Sequence, residues 1–104
     1  MFSIAQLLKL KPGCEQEYKK RHDELWPEMA EAMRKAGVSM AIYLHENLLF
    51  IFATARDQHS WDELERDPVT PRWDRYMSDI LEDDARGKTF IKNLKQLFRF
   101  GEFV

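Results

Sequence analysis

Apolar and polar residues alternate from Phe2 to Leu10, with Phe2, Ile4, Leu8 and Leu10 on one face, which predicts a strand. Gln6 falls on that apolar face, either as a satisfied core amide or as a polar group lining a pocket. Lys11-Pro12-Gly13 makes a turn, and the composition from Cys14 to Ala36 favours helix, with Gly37 placed as a C-terminal cap after Arg34-Lys35. Pro27 interrupts this helix, because it lacks an N–H to donate four residues back and disfavours helical geometry at Trp26. A kink or restart is therefore expected around residues 23–27, with Pro27-Glu28 in the first turn of the second segment. Such a break should free backbone groups beside His22 for a ligand hydroxyl or a water.

Val38 to His45 and Leu48 to Arg56 read as two strands joined by a turn at Glu46-Asn47, a β-hairpin. The second is apolar on both faces at its start, with Leu48, Phe50 and Phe52 set against Leu49, Ile51 and Ala53. Helices can cover one face, and in so short a chain the other cover is expected from a second subunit. Ser60-Trp61-Asp62-Glu63 fits a capping box, and Thr70-Pro71 a second helix start with Trp73, Met77, Ile80 and Leu81 on one stripe. Glu82 to Lys88 is a polar loop, and Leu94 to Val104 a short terminal strand carrying Leu97, Phe98, Phe100 and Phe103. The order β-α-β-β-α-β is ferredoxin-like, an α+β fold with a four-stranded antiparallel sheet and helices on one face. Pairing two open apolar faces then gives a dimeric α+β barrel.

At 104 residues the chain is one domain, 1–104, and its 44% hydrophobic and 33% charged content suits a folded protein. A net charge of −2 gives no electrostatic case for nucleic acid or an anionic membrane surface. No apolar run is long enough to span a bilayer, and MFSIAQLLKLKPG lacks the features of a signal peptide. Cys14 stands alone, which fits a reducing compartment, so a cytoplasmic protein is expected.

Phosphate loops, the nucleophile elbow GxSxG, CxxC pairs and HExxH are all absent, and His22, His45 and His59 lack metal-ligand spacing. No metal site and no cofactor is expected. What remains is the run EYKKRHDELWPEM, with Tyr18, Arg21, His22, Trp26 and Pro27 within ten residues, plus Trp73 and Tyr76. Tyr18 and His22, at i and i+4, share a helix face. Taken singly, the tryptophans suit a core and Arg21 an ion pair with Glu17 or Glu28. Taken together they suit a monosaccharide: imidazole moves protons near neutrality, aromatic rings cover the apolar face of a sugar, and Tyr and Arg bond its hydroxyls.

The Tyr-x-x-Arg-His-x-x-x-Trp-Pro-Glu spacing, followed by AIYL at 41–44, NLLF at 47–50 and PRWDRYM at 71–77, resembles the L-rhamnose mutarotase family over residues 1–81. The resemblance implies a cofactor-free homodimeric isomerase interconverting α and β anomers of L-rhamnose or a related 6-deoxyhexose. It gives His22 the place of the proton donor, Tyr18 that of a substrate-binding residue, and Trp73 the first place of a Trp-Trp substrate-binding pair. Asp74 stands where the second Trp would be, and Met40 where a substrate-contacting Tyr would be. Changing one ring and one hydroxyl changes which sugar fits. Arg21 and Trp26 complete the set expected at the substrate. Two other readings remain at this point: a cofactor-free oxygenase of the same architecture, and a non-catalytic sugar-binding module.

Overall fold

The computed structural model describes all 104 residues. Its elements run β1 (Phe2–Lys9), α1 (Glu15–Asp23), α2 (Pro27–Lys35), β2 (Ser39–His45), β3 (Leu48–Ala55), α3 (Gln58–Arg66), α4 (Val69–Met77) and β4 (Ile91–Asn93). Short 3₁₀ turns cover Ser78–Ile80 and Gly101–Phe103. Each of the two expected helical segments is thus a pair of helices, and the α+β order is otherwise the one expected. The sheet is antiparallel throughout, in the order β2-β3-β1-β4.

Local chemistry explains most boundaries. Trp26 is extended (φ −56°, ψ 134°) and Pro27 opens α2, so the proline ends one helix and starts the next. At the break the Leu25 N–H donates to the His22 carbonyl at 3.1 Å and Glu24 N–H to Lys20 at 2.9 Å, while the Trp26 N–H makes no backbone hydrogen bond. Glu46 and Asn47 both adopt positive φ (48° and 64°), the two-residue hairpin geometry that matches strand twist.

The expected helix starts on the second half lie further along than the observed ones. Asp57, not Ser60, caps α3, accepting the Ser60 N–H at 2.7 Å. Starting there places Trp61 a full turn inside the helix, where it and Leu64 reach the core. Thr70 does not cap α4: it is buried, and its hydroxyl donates to the Leu64 carbonyl at 2.6 Å, tying α4 to the end of α3. Pro71 lies in the first turn of α4. The terminal strand is also displaced. Ile91–Asn93 pairs with Gln6–Leu8 of β1, the Leu94 N–H still donates to the Ala5 carbonyl at 2.8 Å and Gln96 to the Ser3 hydroxyl at 3.3 Å, and no strand is formed from Leu94 onward. Apolar content alone does not make a strand where the ladder of backbone hydrogen bonds is not continued. The tail turns back instead, setting Phe103 against Phe52 with ring centroids 5.6 Å apart.

Register fixes which side chains face the helices. Leu8 opposes Leu49, Gln6 opposes Ile51, and Ile51 opposes Ile42, so this face joins Tyr18, Met29, Trp61, Leu64, Trp73 and Met77 in the core. Ala53 and Ala55 are almost fully buried, and their small side chains let the helices lie close. The opposite face carries Leu7, Phe50, Phe52 and Tyr43, of which Phe50 and Phe52 are 37% and 38% exposed and Tyr43 69%. β3 is thus apolar on both sides, as its sequence indicates.

Candidate active site

Between the helical layer and the sheet lies a cavity of about 240 Å³. The sheet contributes Gln6, Met40, Ile42, Ile51 and Ile91, and the helices contribute Tyr18, His22, Trp61, Glu65, Trp73 and Asp74. Its walls are mostly hydrocarbon and aromatic, with a few polar groups converging, the composition of a small-molecule site. A wider groove of about 440 Å³ lies between α2 and α3, beside Lys35, Arg56, His59 and Arg66. It is open to solvent and does not include His22, and its two arginines are engaged: Arg56 with the Lys35 carbonyl, Arg66 with Glu63.

His22 sits at the end of α1, half-buried, with Nδ1 3.0 Å from the Tyr18 carbonyl oxygen. A carbonyl only accepts, so Nδ1 carries the hydrogen and Nε2 is left free of protein partners. The ring is clasped between Tyr18 (centroids 4.4 Å apart) and the edge of Trp73 (5.4 Å). Tyr18 is only 8% exposed, and burial pushes its phenol up to about 12, so it is a neutral hydroxyl at physiological pH. Its hydroxyl hydrogen-bonds to no other residue and faces the cavity.

Trp73 heads an aromatic series behind the cavity wall: Trp26 meets it edge-on at 5.2 Å, and Tyr76 lies 5.6 Å from Trp73 and 5.2 Å from Trp26. Trp26 therefore braces Trp73 rather than lining the cavity. Arg21 also stands outside the lining. Its Nε donates to Glu17 at 2.8 Å, and its Nη1 to Asp79 at 2.7 Å and to the Tyr76 carbonyl at 2.7 Å, while its plane lies 4.5 Å from the Tyr76 ring. With its donors spent on α1, α4 and the turn after it, Arg21 clamps the helices that carry His22 and Trp73. The Glu28 that also seemed available to Arg21 pairs with Arg72.

Met40 lies at the cavity edge on β2, and Asp74 follows Trp73 into the same space. Gln6 is a pocket residue, its Nε2 donating to Asn93 Oδ1 at 3.0 Å. Glu65 is the residue that sequence reasoning missed. It stands one helical turn after Trp61 on α3, and that spacing from a core tryptophan was the available signal. Both carboxyls keep some solvent contact, yet the apolar walls crowd them. Burial pushes Asp74 up from the ordinary carboxylate range. Burial first, then the charge of Asp74, raises Glu65, and a hydrogen bond from Trp61 opposes this.

The family model described as L-rhamnose mutarotase matches residues 3–100. An L-rhamnose mutarotase of Mesorhizobium japonicum is 43% identical over 94 residues, covering 88% of this chain and 90% of its own length. The crystal structure of an L-rhamnose mutarotase from Formosa agariphila superposes with a TM-score of 0.79 at 29% identity, covering 97% of this chain and 100% of its own. An antibiotic biosynthesis monooxygenase superposes at 0.63 with 10% identity, over 93% of this chain and 99% of its own, a likeness of fold alone. Motif, fold and cavity converge on one conclusion: the chain belongs to the L-rhamnose mutarotase family.

Proposed function

We propose that the protein is an isomerase that interconverts the α and β anomers of L-rhamnose or a related 6-deoxyhexose, with His22 as its proton donor. The reaction needs only proton transfers. A base takes the anomeric hydroxyl proton, the C1–O5 bond breaks as the C1 carbonyl forms, and the ring oxygen is protonated. Rotation about C1–C2 and reclosure on the opposite carbonyl face give the other anomer, with no net change in atoms or charge. A histidine whose Nδ1–H is held by the Tyr18 carbonyl presents Nε2 to the cavity in both protonation states. It delivers a proton when cationic and takes one back when neutral. That fixed imidazole in a sugar-sized cavity is the observation that carries the reading.

Tyr18, Met40, Trp73 and Asp74 contact the sugar in this reading. Trp73 offers ring surface to the C–H face, and the neutral Tyr18 hydroxyl bonds an oxygen of the substrate. Arg21 and Trp26 act one layer out, holding α1 and α4 in place. No cofactor enters any step. The protein acts as a homodimer closed over the Phe50–Phe52 face, and the unpaired Cys14 suits the cytoplasm. The direct test is saturation-transfer NMR of a panel of L- and D-hexoses. Anomer exchange of L-rhamnose or another 6-deoxyhexose should rise in proportion to protein concentration. Exchange at the buffer rate for every sugar overturns the reading.

A further inference from the structure

The charge of the cavity is one-sided. Two carboxyls line it, Glu65 from α3 and Asp74 from α4, and no lysine or arginine does. Several carboxylates elsewhere pair with cations: Glu17 and Asp79 hold Arg21, Glu28 holds Arg72, and Glu63 holds Arg66. Glu65 and Asp74 belong to no ion pair. A carboxylate against hydrocarbon walls without a cation is costly unless hydrogen-bond donors reach it. Inside the protein Glu65 has only Trp61, and its other charged neighbours, Asp74 and Asp62, are themselves acidic. Tyr18, 8% exposed as a residue, lines the same space, and its hydroxyl bonds no protein group. The cavity therefore brings together two carboxylates that also reach solvent, engaged by no cation of the protein, and a phenol that no protein group engages. A ligand rich in hydroxyl groups satisfies both.

We propose that Glu65 and Asp74 form the specificity wall of this site, accepting hydrogen bonds from neighbouring hydroxyls of a neutral monosaccharide and barring sugars that carry a carboxylate or phosphate. The proposal deepens the mutarotase reading and rests on it. The role assigned to them here is separate from the proton delivered by His22: they govern which sugar enters. One carboxylate has two oxygens and accepts from two adjacent hydroxyls, and a second one beside it extends the pattern along the ring. Bringing a further anion beside them adds like-charge repulsion.

The test compares the parent protein with Glu65→Gln, Asp74→Asn and the double variant, using L-rhamnose and a hexuronate in NMR exchange kinetics. In the parent, L-rhamnose exchange should be catalysed and hexuronate exchange left at the buffer rate. Each amide variant should raise KM for L-rhamnose about tenfold, the loss of one charge-assisted hydrogen bond, while kcat changes much less. The double variant should accept the hexuronate. Glu65→Asp and Asp74→Glu, which keep the charge, should keep the exclusion. An unchanged KM together with continued exclusion of the hexuronate by the double variant overturns the proposal and leaves the mutarotase reading intact. A parent that exchanges no sugar overturns both.

Discussion

Replacing His22 by Ala removes the only imidazole in the cavity and leaves its aromatic walls standing. The expected result is a loss of about 10²–10⁴ in kcat for anomer exchange, the usual share of a positioned acid–base group, with KM little changed. A kcat within a factor of two of the parent would remove His22 from the mechanism. The two carboxyls lend themselves to a measurement without substrate. Burial raises both in the fold, so folding favours their protonated forms. Their contribution is fully present below the ordinary carboxylate range and is lost as pH rises through the raised folded values. Asp74→Asn and Glu65→Gln should therefore melt above the parent at pH 7, and the advantage should vanish near pH 3. Equal melting temperatures at pH 7 would mean that the cavity does not crowd these groups. The same two residues mark a limit of reading sequence. Tyr18, His22 and Trp73 announced themselves by type and spacing, whereas a glutamate on a helix is ordinarily a solvated charge, and only the packing of α3 on α4 turns Glu65 inward.

The elements that could be anticipated are those whose cause is local. Pro27 dictates its own break, and two consecutive positive-φ residues suffice for the β2–β3 hairpin. The start of α3 depended on a distant requirement, that Trp61 reach the core, and the start of α4 on a hydroxyl that bonds α3 rather than its own helix. Those contacts lie outside any sequence window. The tail is the clearest case, since Leu94 to Val104 has the side chains of a strand, yet its backbone bonding to β1 ends after Leu94. Among the helices α4 matters most to the site, because Trp73 touches both His22 and Trp26. Trp73→Ala should lower stability by about 3–5 kcal/mol in urea unfolding, the cost of deleting a buried indole. A loss below 1 kcal/mol would mean that the aromatic series does not hold α1 and α4 together.

For the molecule as a whole, the open question of scale is the second face of the sheet. Phe50 and Phe52 lie side by side with Leu7 and Tyr43 on a surface the helices do not reach. A patch of this kind ordinarily meets a partner. Light scattering should give twice the chain mass for the parent and the single chain mass for Phe50→Lys/Phe52→Lys, with the helical circular dichroism kept. A monomeric parent would remove the dimer. One consequence concerns time rather than space. The cavity is walled on one side by Thr89 and Ile91, which reach it only when β4 docks along β1. Every other wall is translated earlier, between Gln6 and Leu81. The segment that closes the chamber is therefore the last of its walls to be synthesised. A bound sugar would hold down the late strand, and its protection against proteolysis should be concentrated at residues 89–93 rather than spread over the helices.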